Sequence, residues 1–156
     1  MMLILYRKGW YRMEELIASL CSEIEYTGHE IGDGIIYIYA RSNRSKAECP
    51  QCGCLSSSQQ NHYTKRVRDL PIHGLKTEIV LDRVNYVCKN PECATKTFAE
   101  SFSFFANSAR RAHRLDSAVM KVALKTSSVA ASDILKETTA GISKSTICTL
   151  IKKNPQ

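Results

Sequence analysis

No apolar stretch in the sequence is long enough to form the core of a signal peptide or to cross a membrane. The apolar start, residues 1–5, is followed at once by Arg7 and Lys8, whereas a membrane-spanning helix needs about 20 consecutive apolar residues. We therefore expect a cytoplasmic protein with no membrane partner. The hydrophobic fraction of 44% is typical of a globular protein and argues against a disordered chain.

Acidic side chains are scarce relative to basic ones, and the imbalance is uneven along the chain. The 15 acidic and 22 basic residues give a net charge of +7. Residues 105–156 carry nine of the basic and three of the acidic side chains, whereas residues 1–48 carry six and seven. A basic C-terminal third is the charge pattern of a nucleic-acid contact, although basic helices also occur as solvated faces.

The cysteines are odd in number, and the sequence around them lacks the βαβ pattern of a thiol redox protein. Seven cysteines in a reducing cytoplasm favour metal binding over disulfides. Cys49 and Cys52 form a C-x2-C pair, and Cys88 and Cys93 form a C-x4-C pair. Two such turns can supply the four thiolates of a tetrahedral Zn²⁺ site. Two disulfides and a buried cysteine cluster are the alternatives.

The other possible metal ligands are less well placed in the sequence. Cys21 and Cys148 lie far from both pairs, and we expect them to pack as ordinary thiols. Cys54 follows the first pair so closely that it could replace a ligand or remain a bystander. His62 and His73 are candidates that four well-spaced cysteines make unnecessary.

The N-terminal segment, residues 1–48, is predicted to be a small α+β cap. Apolar residues recur at helical spacing near residues 12–22. Residues 23–31 and 35–41 have strand character and flank a Gly-Asp-Gly turn. The segment shows no catalytic constellation.

The middle segment, residues 49–104, is predicted to be a zinc ribbon, in which two strands connect two cysteine turns. Residues 63–70 and 77–87 read as the strands, and residues 55–61, rich in Ser and Gln, read as a mobile loop. So few strands cannot bury a core alone. Structural zinc, which contributes on the order of 10–16 kcal/mol in small peptides, would then supply much of the folding free energy.

The last segment, residues 105–156, has a helical period and is predicted to form three helices. The second covers residues 129–138 and the third residues 144–153, which Ser143 would cap. Three short helices with a glycine, Gly141, before the last are the pattern of a helix-turn-helix domain. A small helical bundle with a solvated polar face is the alternative.

The basic and short polar side chains of this segment are the candidate DNA contacts. Cations at helical spacing on the first helix would contact phosphates: Arg110, Arg114, Lys121 and Lys125. The third helix would contact base edges through Lys144, Ser145 and Thr149, and phosphates through Lys152 and Lys153.

Four stretches of the sequence resemble one protein family when taken in order. They are residues 49–53 (CPQCG), 63–74 (YTKRVRDLPIHG), 87–93 (VCKNPEC) and 97–100 (TFAE). Together they resemble the N-terminal region of transposases of the ISL-three group of bacterial insertion sequences, over about residues 15–153. The family has a zinc finger of this layout followed by a helix-turn-helix.

The resemblance implies that the protein binds the terminal inverted repeats of a mobile element. In the family, catalysis belongs to a later DDE domain, and this sequence ends at Gln156, just after the third predicted helix. We therefore expect a DNA-recognition module that is not itself an enzyme and acts at the bacterial nucleoid. The implied partners are double-stranded DNA at the transposon ends and either full-length transposase or a second copy of the chain.

Other functions remain open at this stage. The chain could be a stand-alone zinc and helix-turn-helix regulator of transcription, or an inhibitor that competes with transposase at the element ends. It could also be a protein-interaction module. An independent zinc enzyme is disfavoured, because four thiolates leave no open coordination position for a substrate or water.

Overall fold

A computed structural model describes residues 13–138 and 141–153 of the chain. One helix comes first, strands follow, and three helices end the described part. The elements are α1 (Met13–Leu20), β1 (Ile24–Gly32), β2 (Ile35–Ser42), β3 (Ala47–Glu48), β4 (Leu55–Ser56), β5 (Gln59–Ile72), β6 (Leu75–Val87), β7 (Thr97–Ala99), α2 (His113–Ala123), α3 (Ser128–Thr138) and α4 (Lys144–Lys153). The predicted start of the first helix at residue 12, and the apolar residues 1–5, lie outside the described residues.

Five strands form one mixed sheet in the order β1-β2-β6-β5, and β7 pairs with β6 as well. The hairpins β1-β2 and β5-β6 are antiparallel. Each turns through residues with positive φ, Asp33 and Gly34 in the first and His73 and Gly74 in the second, and the first is the turn that the Gly-Asp-Gly pattern predicted. β2 and β6 run parallel. The separate pair β3-β4 flanks the turn that contains the two cysteines of the C-x2-C motif.

One face of the sheet is buried because apolar residues alternate along its central strands. Ile36 and Ile38 of β2 and Ile79 and Leu81 of β6 are almost completely buried. They pack with residues of α1 and with a phenylalanine cluster that follows β7: Phe102, Phe104 and Phe105. Each such side chain contributes roughly 1.5–3 kcal/mol on burial, and this core contains none of the four paired cysteines.

The three C-terminal helices enclose a second core. Its buried members come from all three helices and from a residue two positions before α4: Leu115, Val119, Ala123, Ala131, Leu135, Ile142, Ile147 and Leu150. Leu70 of β5 packs against this core, so the helices rest on the sheet. Ser127 caps α3 by accepting the Ala130 N–H at 3.2 Å. Ser143 caps α4 by accepting the Thr146 N–H at 3.4 Å, which confirms the predicted cap.

The predicted fold class is wrong in its architecture. We expected an N-terminal helix and hairpin, a separate zinc ribbon, and a three-helix helix-turn-helix domain after it. Instead, the hairpin and the ribbon strands share one mixed sheet through the parallel pairing of β2 with β6. More described residues lie in strands than in helices, and the helices pack on β5. Local periodicity could not reveal this, because the β2-β6 pairing joins Ile35 to the distant Lys76.

Smaller differences follow the same logic. Residues 55–61, predicted as a mobile loop, include β4, in which Ser56 is buried, and the start of β5, whose residues 59–61 are exposed. The hairpin at residues 24–42 and the helices α3 and α4 match their predicted ranges closely. The predicted domain boundaries at residues 48 and 104 stay predictions.

No helix among the described residues is long and apolar enough to be a candidate membrane span.

Candidate metal centre and basic surface

The first cysteine turn is held by the short pair β3-β4. Register Ala47↔Ser56 and Glu48↔Leu55 brings the two ends of the turn together. Inside it, the Cys49 N–H donates to the Cys54 carbonyl at 3.0 Å, and the Gly53 N–H donates to the Cys49 carbonyl at 2.8 Å. Gly53 has a φ of 72°, a conformation that glycine adopts without strain.

The second cysteine turn joins β6 to β7. The Cys88 N–H donates to the Lys96 carbonyl at 2.8 Å, and the Cys93 N–H donates to the Asn90 carbonyl at 3.1 Å. The Lys96 ammonium crosses the turn and donates to the carbonyls of Pro91 at 3.2 Å and Cys93 at 2.9 Å. These bonds fix the two thiols just beyond the end of β6.

The two turns face each other and bring four sulfurs into one cluster. The Sγ atoms of Cys49, Cys52, Cys88 and Cys93 all lie within 4.8 Å of one another. Cys49 and Cys93 are 3.9 Å apart, and Cys52 and Cys88 are 3.6 Å apart. A tetrahedron with Zn–S bonds of about 2.3 Å has edges of about 3.8 Å, whereas a disulfide needs about 2.05 Å. The geometry therefore fits a zinc ion, and no disulfide joins these four cysteines.

Backbone amides are aimed at three of these sulfurs. The N–H groups of Cys54, Asn90 and Thr95 interact with Cys52, Cys88 and Cys93, each from two positions further along the chain. Such N–H groups stabilise thiolates and orient metal ligands. Four thiolates supported by backbone N–H groups are the ligands of a closed, structural zinc site.

The thiols of the cluster also influence one another. The Cys54 N–H, together with hydrogen bonds from the neighbouring thiols, lowers the pKa of Cys52 to about 6. The Asn90 N–H acts to lower the pKa of Cys88, but burial and the neighbouring sulfurs outweigh it and raise that pKa to about 12. One thiolate therefore forms readily and disfavours the next, a repulsion that a divalent cation among the sulfurs removes.

The other candidate ligands lie outside the cluster. Cys54 does not belong to the group of four, and the hydrogen bond and charge of Cys52 raise the pKa of its thiol. His62 contacts Asp82 at 3.2 Å, and His73 occupies the β5-β6 turn. Cys21 is buried in the sheet core. The four cysteines chosen from spacing are thus the ones that the fold brings together.

The cations predicted on the first C-terminal helix are dispersed by the structure. Helix α2 is shorter than expected, so only Arg114 and Lys121 lie on it, while Arg110 precedes it and Lys125 follows its C-cap residue. Arg114 makes a two-pronged ion pair with the buried carboxylate of Asp69, with its Nε 2.6 Å from Oδ1. That hydrogen bond raises the pKa of Arg114. These four residues therefore do not form one stripe on one helix.

The polar residues predicted on α4 share an exposed surface. Lys144, Ser145, Thr149, Lys152 and Lys153 all lie on this helix and are exposed. The Thr149 hydroxyl donates to the Ser145 carbonyl at 2.9 Å. It is therefore hydrogen-bonded to the backbone of its own helix.

A cavity of about 290 Å³ lies along this surface, which we call the α4 cavity. Residues of α4 and one arginine from the segment before α2 line it: Arg111, Ser145, Thr146, Thr149, Leu150 and Lys153. Sequence reasoning missed Arg111, although its position beside Arg110 was a visible signal. Its Nε also contacts Asp116.

Comparison with known proteins gives one match. A family model described as the zinc-finger of transposase IS204/IS1001/IS1096/IS1165 matches residues 45–93. No curated protein and no solved structure matches the chain. The matched segment contains both cysteine turns and ends at Cys93, so the zinc-finger part of the resemblance and the choice of zinc as cofactor are confirmed. The match does not extend to helices α2, α3 and α4.

Proposed function

We propose that the chain is the zinc-containing DNA-binding module of a bacterial transposase and that it recognises the terminal inverted repeats of its element. The observation that carries this proposal is the coincidence of the transposase zinc-finger match, residues 45–93, with a four-cysteine cluster of zinc-site geometry. The net charge of +7 agrees with a polyanionic partner.

The zinc ion has a structural role in this proposal. Four thiolates would fill its tetrahedral shell, so no position remains for a water molecule or a scissile phosphate. The ion would tie β3 and β4 to the end of β6 and hold both cysteine turns. We accordingly assign the chain a binding role and leave strand cleavage and transfer to a separate catalytic domain.

Helix α4 is the element that we assign to sequence recognition. Its Lys144, Ser145 and Thr149 are exposed, and an α-helix fits the major groove of B-DNA, where base edges can be distinguished. Lys152 and Lys153 at its C-terminal end would contact phosphates. Ile147 faces the helical core, which fixes the rotation of the polar side relative to the rest of the molecule.

The partners follow from this role. The two ends of an element each need one module, so a second copy of the chain or full-length transposase is the protein partner that we propose. Such a protein would act in the cytoplasm, at the nucleoid.

The test is to compare binding of the zinc-loaded chain to a terminal repeat of the parent element and to a scrambled duplex over a series of salt concentrations. We expect tighter binding to the repeat, by at least the 10³-fold that separates specific from non-specific binding in typical DNA-binding proteins. Equal affinity for both duplexes would remove the proposed recognition, and absence of binding to either would remove the DNA-binding role.

A further inference from the structure

A basic groove lies along the outer edge of the sheet, apart from the metal ligands and from α4. It surrounds a cavity of about 280 Å³, and its lining residues are Lys65, Arg66, Arg68, Glu78 and Arg110. We call this feature the edge groove. Four of its five lining residues are cations, three of them from β5, an element to which the sequence analysis assigned no DNA contact.

Backbone pairing explains why these cations converge. β5 is an edge strand of the sheet, so one side of its backbone is available for further hydrogen bonds. The Arg68 N–H donates to the Arg110 carbonyl at 2.9 Å, and the Ala112 N–H donates to the Arg68 carbonyl at 2.9 Å. These two bonds attach the segment before α2 to β5. They fix Arg110 beside Arg68.

The protein neutralises only part of the positive charge of the edge groove. Glu78 is its one acidic lining residue, and its carboxylate lies 3.8 Å from Arg66. In the described part of the chain, no carboxylate forms an ion pair with Arg68 or Arg110, and the Lys65 ammonium contacts only the Asn107 carbonyl, at 3.4 Å. Burial and then the nearby guanidinium groups lower the pKa of Lys65, which agrees with an excess of positive charge.

We propose that the edge groove binds the phosphodiester backbone of duplex DNA and so extends the contact surface of α4 onto the sheet. This inference rests on the proposed function. Continuity favours DNA over an acidic protein, because Arg110 lines the edge groove while the next residue, Arg111, lines the α4 cavity. One polyanion could therefore follow both. Guanidinium groups suit this role, since they donate two parallel hydrogen bonds to phosphate oxygens.

The first test uses a double variant of the edge groove, Lys65→Gln with Arg68→Gln, and a random-sequence duplex. The matched control is Lys46→Gln with Lys89→Gln, which removes the same charge from two exposed lysines near the cysteine turns. Each phosphate contact contributes about −0.9 to the slope of log K against log salt. We expect the groove variant to flatten the slope by about 1.8 and to weaken binding at 0.1 M salt by roughly 60-fold, and the control to change neither.

The second test does not need a variant to fold. Acylation of Lys65 in the zinc-loaded wild-type chain is measured with and without the duplex, and with poly-glutamate at the same total charge. We expect the duplex to protect Lys65 and poly-glutamate to protect it far less.

The outcomes separate this inference from the proposed function. If the wild-type chain binds its repeat but the groove variant keeps the wild-type salt slope and Lys65 stays reactive, the edge groove is not a DNA contact. An equal loss of slope in the control would attribute the effect to net charge and also overturn the inference. Stronger protection by poly-glutamate would assign the groove to an acidic protein. Failure of the wild-type chain to bind any duplex would overturn both proposals.

Discussion

At the scale of single residues, the four stretches singled out in the sequence contain buried ionic groups as well as metal ligands. Asp69, in the RDLP stretch, is about 1% exposed and holds Arg114 of α2 against β5. Glu100, in the TFAE stretch, is completely buried. Its carboxylate accepts the Val84 N–H at 2.8 Å and the Ser42 hydroxyl at 2.7 Å. These carboxylates connect separate elements, a role that the motifs alone do not reveal.

Arg114 is expected to matter more for stability than for phosphate contact. Arg114→Ala would leave the Asp69 carboxylate buried without its ion-pair partner, which costs about 3–5 kcal/mol for a fully buried pair. The Arg114 side chain is 46% exposed, and solvent screening reduces that figure. We expect the free energy of unfolding in urea to fall by about 2 kcal/mol.

Lys121→Ala is the matched control for this prediction. Lys121 lies on the same helix and is exposed, so its removal should change stability by less than about 0.5 kcal/mol. Equal effects of the two substitutions would show that the Asp69 pair does not hold α2 on the sheet.

At the scale of elements, the sequence predicted locally determined turns, strands and caps better than it predicted pairings between distant segments. Glycine-containing turns and alternation predicted the hairpin of β1 and β2, and serine caps predicted the start of α4. The prediction made helix α2 too long at its start, because residues 110–112 pair with the edge of β5 instead. That pairing is a contact with a distant part of the sequence. The four metal ligands were predictable from spacing, whereas the edge groove depends on that same long-range pairing.

Removal of zinc is expected to unfold only part of the chain. The cysteine turns rest on the short strands β3, β4 and β7, whereas the middle of β6 contributes Ile79 and Leu81 to the sheet core. After chelation, amide hydrogen exchange should accelerate at Cys88 and Cys93, and the amides of residues 79–81 should stay protected. Loss of protection throughout β6 would show that the sheet depends on the metal.

Cysteine substitutions provide the control for this experiment. Cys88→Ser should abolish binding of the single zinc ion that we expect per chain, because it removes one of four ligands. Cys54→Ser should leave the zinc content unchanged, since Cys54 lies outside the cluster. A loss of zinc in Cys54→Ser would change the assignment of the ligands.

Helix α4 is expected to control which DNA the chain selects. A specific base contact provides about 1–3 kcal/mol of discrimination. Lys144→Ala should therefore weaken binding to the terminal repeat by up to roughly 100-fold, while its effect on a scrambled duplex should be limited to the loss of one charge. Thr149→Ala should show the same selectivity with a smaller loss. Titration of both duplexes at one salt concentration measures the ratio.

Two controls accompany the α4 variants. Lys89→Ala removes an exposed lysine within the second cysteine turn and should leave the ratio unchanged. Ile147→Ala removes a completely buried side chain, so it should lower the melting temperature first. If Lys144→Ala and Thr149→Ala weaken both duplexes equally, α4 does not read the sequence.

At the scale of the whole molecule, two cores are joined through β5. The sheet core lies beneath its middle, Leu70 packs into the helical core, and Arg68 pairs with the segment before α2. This arrangement places the edge groove next to the α4 cavity. The sheet and the C-terminal helices therefore both contribute residues to the proposed DNA surface. The predicted division into a cap, a zinc ribbon and a helical segment did not reveal that relation, because it depends on contacts between distant parts of the sequence.

Hydroxyl-radical footprinting tests the central claim most directly. The zinc-loaded chain is added to a DNA fragment that contains one end of the parent element and its flanking sequence, and the protected nucleotides are mapped. We predict a single protected window within the terminal inverted repeat. Uniform weak protection along the fragment, or protection confined to the flanking DNA, would contradict the account.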